Sequence, residues 1–494
     1  MKRQFKQGAA LLLALLLLVP FAPLCAAQTS EKAFPSGLAY GELEDRIEAA
    51  FDARGTDNGY MTAVFDAEGT IYEGYFGFAN KERGLRMDET TVVDWGSVSK
   101  LIVWLSAMQL AERGLLDLNE DIRTYLPKGF LRKLRFDDPI TLLHLMNHTA
   151  GFEDTTANMI VIARNRLLTM DELLYSSAKP LTLEEYLKKS EPHQIYRPGD
   201  TVAYSNYGCA LAAYVIECVT GETFSAYARQ NVFVPLGMDN TALSADLSDN
   251  PTVQERFGNL WFYNSDGSAV KDTQAAAWRV MNCYPAGHCT STLHDLETFA
   301  RALLLRDERL LSAEGFAEFF APSRNYTGTD VPRSSHGLFW LYSYGVPVVG
   351  HNGNSLSAAM LLLEPNSGVG FVALANEAHE GVLMEDIPRL LFGSYAGDEG
   401  AADYHTCVAR WDYHSITRLA YPSACYFRFT KEDFAKKYIN VLPNKLELLG
   451  TDYFYSPALN RFGVFGYALW VLLTAYKAMP GDAAGLVGLP ARQS

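Results

Sequence analysis

The sequence predicts an α/β protein of the α+β kind: one antiparallel sheet built from the N- and C-terminal parts, flanked by helices, with a mostly helical lobe inserted between them. Two observations carry this. Strand-like runs occur near residues 60–80 and again near 346–378, each broken by Asp/Asn/Gly/Pro turns. Between them, helical periodicity and loop punctuation dominate. At 494 residues the chain is long enough for one large domain and an appendage.

The elements follow in order. Lys2, Arg3 and Lys6 precede the apolar run "AALLLALLLLVPFAPL", and "CAA" at 25–27 supplies small residues. This predicts a signal peptide over residues 1–27 and an exported chain, periplasmic, extracellular or at the cell surface. Acylation at Cys25 would need a small residue before it, where Leu24 stands. "LEDRIEAAFDARG" then reads as an amphipathic helix ended by Gly55. "YMTAVFDAEG" and "TIYEGYFGFAN" read as strands joined at Glu68-Gly69. After "DWGSVSK", apolar Leu101, Trp104, Leu105, Met108 and Ala111 mark a helix with one buried stripe, stopped by Gly114. "VPVVGHNG", "AAMLLLEPNSG" and "VGFVALANEA" are the late strands, and the helix "GVLMEDIPRLLFG" closes a domain placed at 35–398. Residues 399–494 form a C-terminal extension. Its uncharged run "FGVFGYALWVLLTAY", 462–476, is short of the ~20 residues a bilayer span wants. It predicts either a membrane-associated helix or a buried one.

A net charge of −15, with no long basic run, argues against nucleic acid as a partner. Six cysteines follow the signal peptide. Cys283–Cys289 and Cys407–Cys425 are the closest pairings open to an exported chain, while Cys209 and Cys218 lie in a helical pattern and read as buried thiols. There is no CxxC, so a cysteine zinc site is not expected. His144 and His148 have i,i+4 spacing but lack the glutamate of H-E-x-x-H, so no metal is expected. No Gly-x-Ser-x-Gly elbow and no Gly-rich phosphate loop occurs, and no cofactor is expected.

Ser97 and Lys100 stand three apart at the start of the apolar helix. A serine hydroxyl needs a neighbouring base to act as nucleophile. Lys100 lies one turn on, and burial or nearby positive charge would favour the neutral amine that can take a proton. Alone, the pair also fits a serine N-cap and a solvated lysine. "YSN" at 204–206 adds Tyr204, a phenol able to share the proton, and Asn206, an amide able to bind both lysine and a substrate carbonyl. "GHNGN" at 350–354 adds a strand edge where the Asn354 N–H would join that of Ser97 in an oxyanion hole, with His351 facing substrate.

The three elements in this order resemble the β-lactamase-related serine hydrolases: class C β-lactamases, serine D-Ala-D-Ala carboxypeptidases and esterase-like penicillin-binding proteins. The resemblance runs over about residues 40–395. It extends through "SKLIVWLSAMQLAERGLLDLNEDIRTYLP", "ITLLHLMNHTAGF", "YRPGDTVAYSNYGCALAAYVIECVTGETFSAYARQNVFVPLGM" and "PAGHCTSTLHDLETFARALL". It implies the β-lactamase/transpeptidase-like fold, with Ser97 acylated, Lys100 and Tyr204 sharing the proton work, and Asn206 orienting lysine and substrate. His351 and Gly353 then occupy the third motif. There this chain has His-Asn-Gly where β-lactamases have Lys-Thr-Gly, and histidine is mostly neutral at pH 7. The expectation is a covalent acyl-enzyme hydrolase acting on a small ester, a D-amino-acid peptide or amide such as a peptidoglycan-like peptide, or a β-lactam. Efficient β-lactam hydrolysis is the least expected of these. The alternative is a penicillin-binding or sensor protein of the same fold with little turnover.

Overall fold

The computed structural model describes residues 32–152, 162–163, 166–167, 180–192, 194, 196–200, 202, 204–270, 280–325, 332–341, 344–377 and 382–394. The expected signal peptide, Cys407, Cys425 and the 462–476 run lie outside the described residues. Among those described, no helix is long and apolar enough to cross a membrane.

Helix α1 (Leu43–Ala53) leads into β1 (Tyr60–Phe65) and β2 (Thr70–Phe76). Between the two strands Asp66 accepts from the N–H groups of Glu68 (2.8 Å) and Gly69 (3.2 Å), the local side-chain bond that makes aspartate a turn residue. Helix α2 (Lys100–Glu112) follows, then α3 (Asn206–Thr220) and α4 (Leu293–Leu304). The late strands are β3 (Arg324–Asn325), β4 (Pro332–Ser335), β5 (Leu338–Leu341), β6 (Val348–Asn354), β7 (Ala358–Glu364) and β8 (Val369–Ala375), and α5 (Val382–Phe392) comes last. The sheet order is β3-β4-β5-β6-β7-β8-β1-β2 with every neighbouring pair antiparallel. The two ends of the domain meet at β1–β8, where Tyr60 pairs with Ala375 and Phe65 with Gly370.

The central strands read as continuous apolar runs because both faces are covered. Successive side chains point to opposite sides. Tyr60 and Val64 of β1, with Ala358, Met360 and Leu362 of β7, join Leu43, Ile47, Leu383 and Ile387 of α1 and α5 in one core. Met61, Ala63 and Phe65, with Ala359, Leu361 and Leu363, join α2, α3 and α4 in the other. Facing both ways, these strands need apolar residues at every position, as in parallel sheets.

Helix α2 departs from the expected stripe. Every residue from Lys100 to Leu110 is buried, because the helix runs through the middle of the larger core and packs against α3. The cysteines also differ from the closest pairing: Cys283 and Cys289 are not joined in a disulfide, and neither are Cys209 and Cys218. Cys283 Sγ is turned to the Asn206 carbonyl at 3.6 Å. The Cys289 backbone is tied to the turn before α2, donating to Ser99 Oγ (3.0 Å) and accepting from Trp95 N–H (2.7 Å).

Candidate active site

Ser97 lies in a 3-10 turn, Gly96–Ser99, at the entry to α2. No serine side chain caps the turn or the helix, so the expected N-cap role of Ser97 is not found. The cause is geometric: the chain is already helical at Trp95 and Ser99, whereas a capping residue needs an extended backbone. Ser97 is instead the one residue between Val92 and Leu110 that is not buried. Its hydroxyl accepts from Lys100 Nζ at 2.9 Å.

Lys100 is fully buried. Besides Ser97, its Nζ donates to Asn206 Oδ1 (2.8 Å) and to the Ala286 carbonyl (2.6 Å). Of these three oxygens two only accept, while the third is a hydroxyl that can also donate. As a neutral amine, Lys100 could keep both fixed acceptors and turn its lone pair to the Ser97 proton. Asn206 is placed by α3, whose first residue it is; Ser205 caps that helix, accepting from Gly208 N–H at 2.9 Å. Ala286 is held in the short turn Tyr284–Ala286. Sequence reasoning missed it, because a carbonyl is common to all residues and the contact spans 186 positions.

Tyr204 is half-buried, with Lys100 Nζ 4.9 Å from its ring centroid and the His148 ring at 4.2 Å. His148, weighed from the sequence only as a metal ligand and set aside, belongs to this packing. Its backbone is left-handed (φ 55°), and its Nδ1 accepts from Ser205 N–H at 3.2 Å. Burial, then the charges of Lys100 and Arg333, hold it well below the ordinary histidine range. His144 is used elsewhere, its Nδ1 accepting from Thr141 N–H in a helix cap. Among the described residues no group of three or more His, Cys, Asp or Glu side chains is placed to hold a metal.

Strand β6 brings the third element. His351 and Gly353 pair with Leu361 and Ala359, whose side chains join the α2 core, so they face the site. His351 is buried; its Nδ1 bonds the Asn352 carbonyl at 2.6 Å, which leaves Nε2 as the acceptor nitrogen of the neutral ring. Its pKa is pushed down to about 3, first by burial and then by the Lys100 charge. Phe339 lies 4.9 Å from the same ring, and the Arg333 guanidinium 5.3 Å from Phe339. Gly353 and Gly96 allow two backbones to touch. A Cβ on Gly353 would stand 2.0 Å from the Trp95 carbonyl and 2.9 Å from Ser97 N. One on Gly96, whose φ is +49°, would stand 2.9 Å from Asn354 N. The N–H groups of Ser97 and Asn354 thus come from backbone segments in direct contact.

Ser97, Lys100, Tyr204, Asn206, His351, Gly353 and Asn354 are therefore brought together, and the arrangement can hold an acyl group on Ser97 and steady a developing oxyanion. Penicillin-binding protein 4* of Bacillus subtilis (strain 168) is 22% identical over 372 residues, 72% of this chain and 78% of that protein. Two other curated relatives are spanned over 56–58% of their length. Among solved structures, a D-stereospecific amidohydrolase from Streptomyces sp. shares the fold with a TM-score of 0.54 at 20% identity, covering 72% of this chain and 98% of that one. EstCE1, a hydrolase with promiscuous acyltransferase activity, does so with a TM-score of 0.56 at 19% identity, covering 72% and 99%. The family model described as Beta-lactamase matches residues 45–393, nearly the whole of the two-core domain. The chain belongs to the Beta-lactamase family.

Proposed function

We propose that this protein is an exported serine hydrolase that works through an acyl-enzyme on Ser97, acting on D-amino-acid amides or peptides, or on small esters, in preference to β-lactams. The observation that carries the reading is the hydrogen bonding of buried Lys100 to Ser97 Oγ, Asn206 Oδ1 and the Ala286 carbonyl. Ser97 Oγ attacks the substrate carbonyl carbon as its proton passes to the Lys100/Tyr204 pair. The carbonyl oxygen, now an oxyanion, is held by the N–H groups of Ser97 and Asn354. Collapse breaks the C–N or C–O bond, and the leaving amine or alcohol takes the proton back from Tyr204. Water then attacks the ester on Ser97, with Tyr204 as base, releasing the acid and restoring the serine. Asn206 keeps Lys100 in register and binds the substrate carbonyl.

The substrate preference rests on His351. A buried imidazole with a pKa near 3 is neutral at pH 7, so it offers a substrate carboxylate no full charge. That a D-stereospecific amidohydrolase and a hydrolase with promiscuous acyltransferase activity share this fold supports the reading. The export reading is supported by the basic and apolar N-terminal sequence. Intact-mass measurement tests the whole: protein lacking residues 1–27 is followed over time with an activated short-chain ester, a D-amino-acid amide and a penicillin, beside Ser97→Ala. A transient adduct on Ser97 that decays as product forms is expected from the ester or the amide. A penicillin adduct that persists, with no turnover of the other two, would replace this reading with that of a penicillin-binding or sensor protein.

A further inference from the structure

Behind the nucleophile turn lies a buried carboxyl that the mechanism above does not use. Asp94 is 2% exposed and stands three residues before Ser97, in the short strand Val93–Asp94 that pairs with Thr290–Ser291. Its Oδ2 accepts from Ser355 Oγ at 2.7 Å. Its own carbonyl accepts from Ser357 Oγ at 3.1 Å. The two serines are joined in turn: their hydroxyls lie 3.0 Å apart, Ser357 N–H donates to Ser355 Oγ (3.2 Å), and Ser355 N–H donates to the Ser357 carbonyl (2.8 Å). Ser355 directly follows Asn354.

We propose that Asp94 is a positioning residue: with Ser355 and Ser357 it clamps the nucleophile turn to the end of β6, and so fixes the spacing of the Ser97 and Asn354 N–H groups. The inference rests on the serine-hydrolase reading and names what holds its oxyanion hole. The logic is that of a frame with two fastenings. At the two N–H groups, Gly96 and Gly353 let the backbones touch. Contact alone stops the segments from approaching further and does nothing to stop them parting. The bonds of Asp94 to Ser355 and Ser357 supply the tension. Oxyanion donors act at 2.7–3.1 Å, and a displacement of about 1 Å costs on the order of a hundredfold in rate. A buried polar group is costly unless bonded. Placing a carboxyl and two hydroxyls in the core here, where apolar side chains would pack, is explained by a demand for fixed geometry.

The test compares the wild type with Asp94→Ala, Asp94→Asn and Ser355→Ala. Three quantities are read: the rate of Ser97 acylation by an activated ester, the affinity for an alkylboronic acid that forms a tetrahedral adduct on serine, and ester binding without chemistry in a Ser97→Ala background. Asp94→Ala and Ser355→Ala are expected to lower acylation and boronic acid affinity together, by roughly ten- to a hundredfold. Binding in the Ser97→Ala background should change less than about twofold. Asp94→Asn keeps an oxygen for the Ser355 hydroxyl and should recover most of the loss. Ser355→Ala, a single-oxygen deletion, carries the test should Asp94→Ala fail to fold. Unchanged acylation in both alanine variants overturns the clamp while leaving Ser97 as nucleophile, and so does an equal loss of ground-state binding. A wild type that forms no adduct at Ser97 overturns the proposed function, and the clamp with it.

Discussion

His351 makes the sharpest link between the site and a measurable property of the whole protein. Its pKa is pushed from 6.5 down to about 3, mainly by burial, secondarily by Lys100, with the Asn352 carbonyl pulling weakly the other way. In the unfolded chain it titrates near 6.5. Above that pH both states are neutral, and His351 contributes no pH dependence. Between 6.5 and 3 the unfolded chain holds a proton that the native state lacks, so stability falls as pH falls, by about 1.4 kcal/mol per unit. From pH 7 to pH 5 this amounts to about 2 kcal/mol. The perturbation is His351→Gln, which removes the titration and keeps a polar side chain. Urea unfolding at pH 7 and pH 5 gives the acid loss for each protein, and the difference between the two losses isolates His351 from the other buried groups. His148, His144 and His336, also lowered by burial, contribute in both proteins, as do the raised carboxyls of Asp94, Asp295 and Glu297. The wild type is expected to lose about 2 kcal/mol more than the variant. Equal losses, or an imidazole resonance of His351 that titrates near 6.5, would refute the neutral, buried third motif and with it the proposed preference for amides and esters over β-lactams.

Three further outcomes are expected. Gly353→Ala drives a methyl group to 2.0 Å from the Trp95 carbonyl and 2.9 Å from Ser97 N; separating the two backbones should slow Ser97 acylation by about a hundredfold or more, read by intact mass. Tyr204→Phe keeps the ring against His148 at 4.2 Å and Lys100 at 4.9 Å. Turnover of an activated ester should fall by roughly 10²–10⁴ while the urea midpoint barely moves. Glu377→Ala strips the carboxylate from Arg54 and Asn58, where both charged side chains are more than nine-tenths buried. This should cost about 3–5 kcal/mol in urea unfolding and leave the adduct, where the protein folds, on Ser97.

Much of this was legible in the sequence, for reasons that also mark where reading stops. The sheet from two termini was visible because short apolar runs bounded by turn residues read as strands, as at 60–65, 358–364 and 369–375. Ser97, Lys100, Tyr204 and Asn206 were visible because proton transfer calls for particular side chains. Ala286 was invisible, since its backbone oxygen does the work. His148 was misleading, because i,i+4 spacing suggests ligands, whereas its role comes from a φ of 55° and a contact 57 residues away. Asp94 carried no signal of its own, since its partner Ser355 stands 261 positions on. The stripe on α2 understated its burial because periodicity reports one covered face, and here every face is covered.

Two buried cations, Arg54 and Lys100, separate structural from chemical use of charge. Arg54 meets the Glu377 carboxylate, and the pair can do nothing but persist: guanidinium does not give up its proton, and the bond only holds α1 to the end of β8. Lys100, by contrast, has an amide oxygen, a peptide oxygen and a hydroxyl among its hydrogen-bond partners. Of these only the Ser97 hydroxyl can reverse its role, and Ser97 is also the residue that reaches out of the buried segment. A lysine held for stability alone would be served equally well by three fixed acceptors. Exchanging Ser97 for Ala should therefore abolish acylation at little cost in folding stability, since it deletes one reversible partner and leaves the two fixed ones in place.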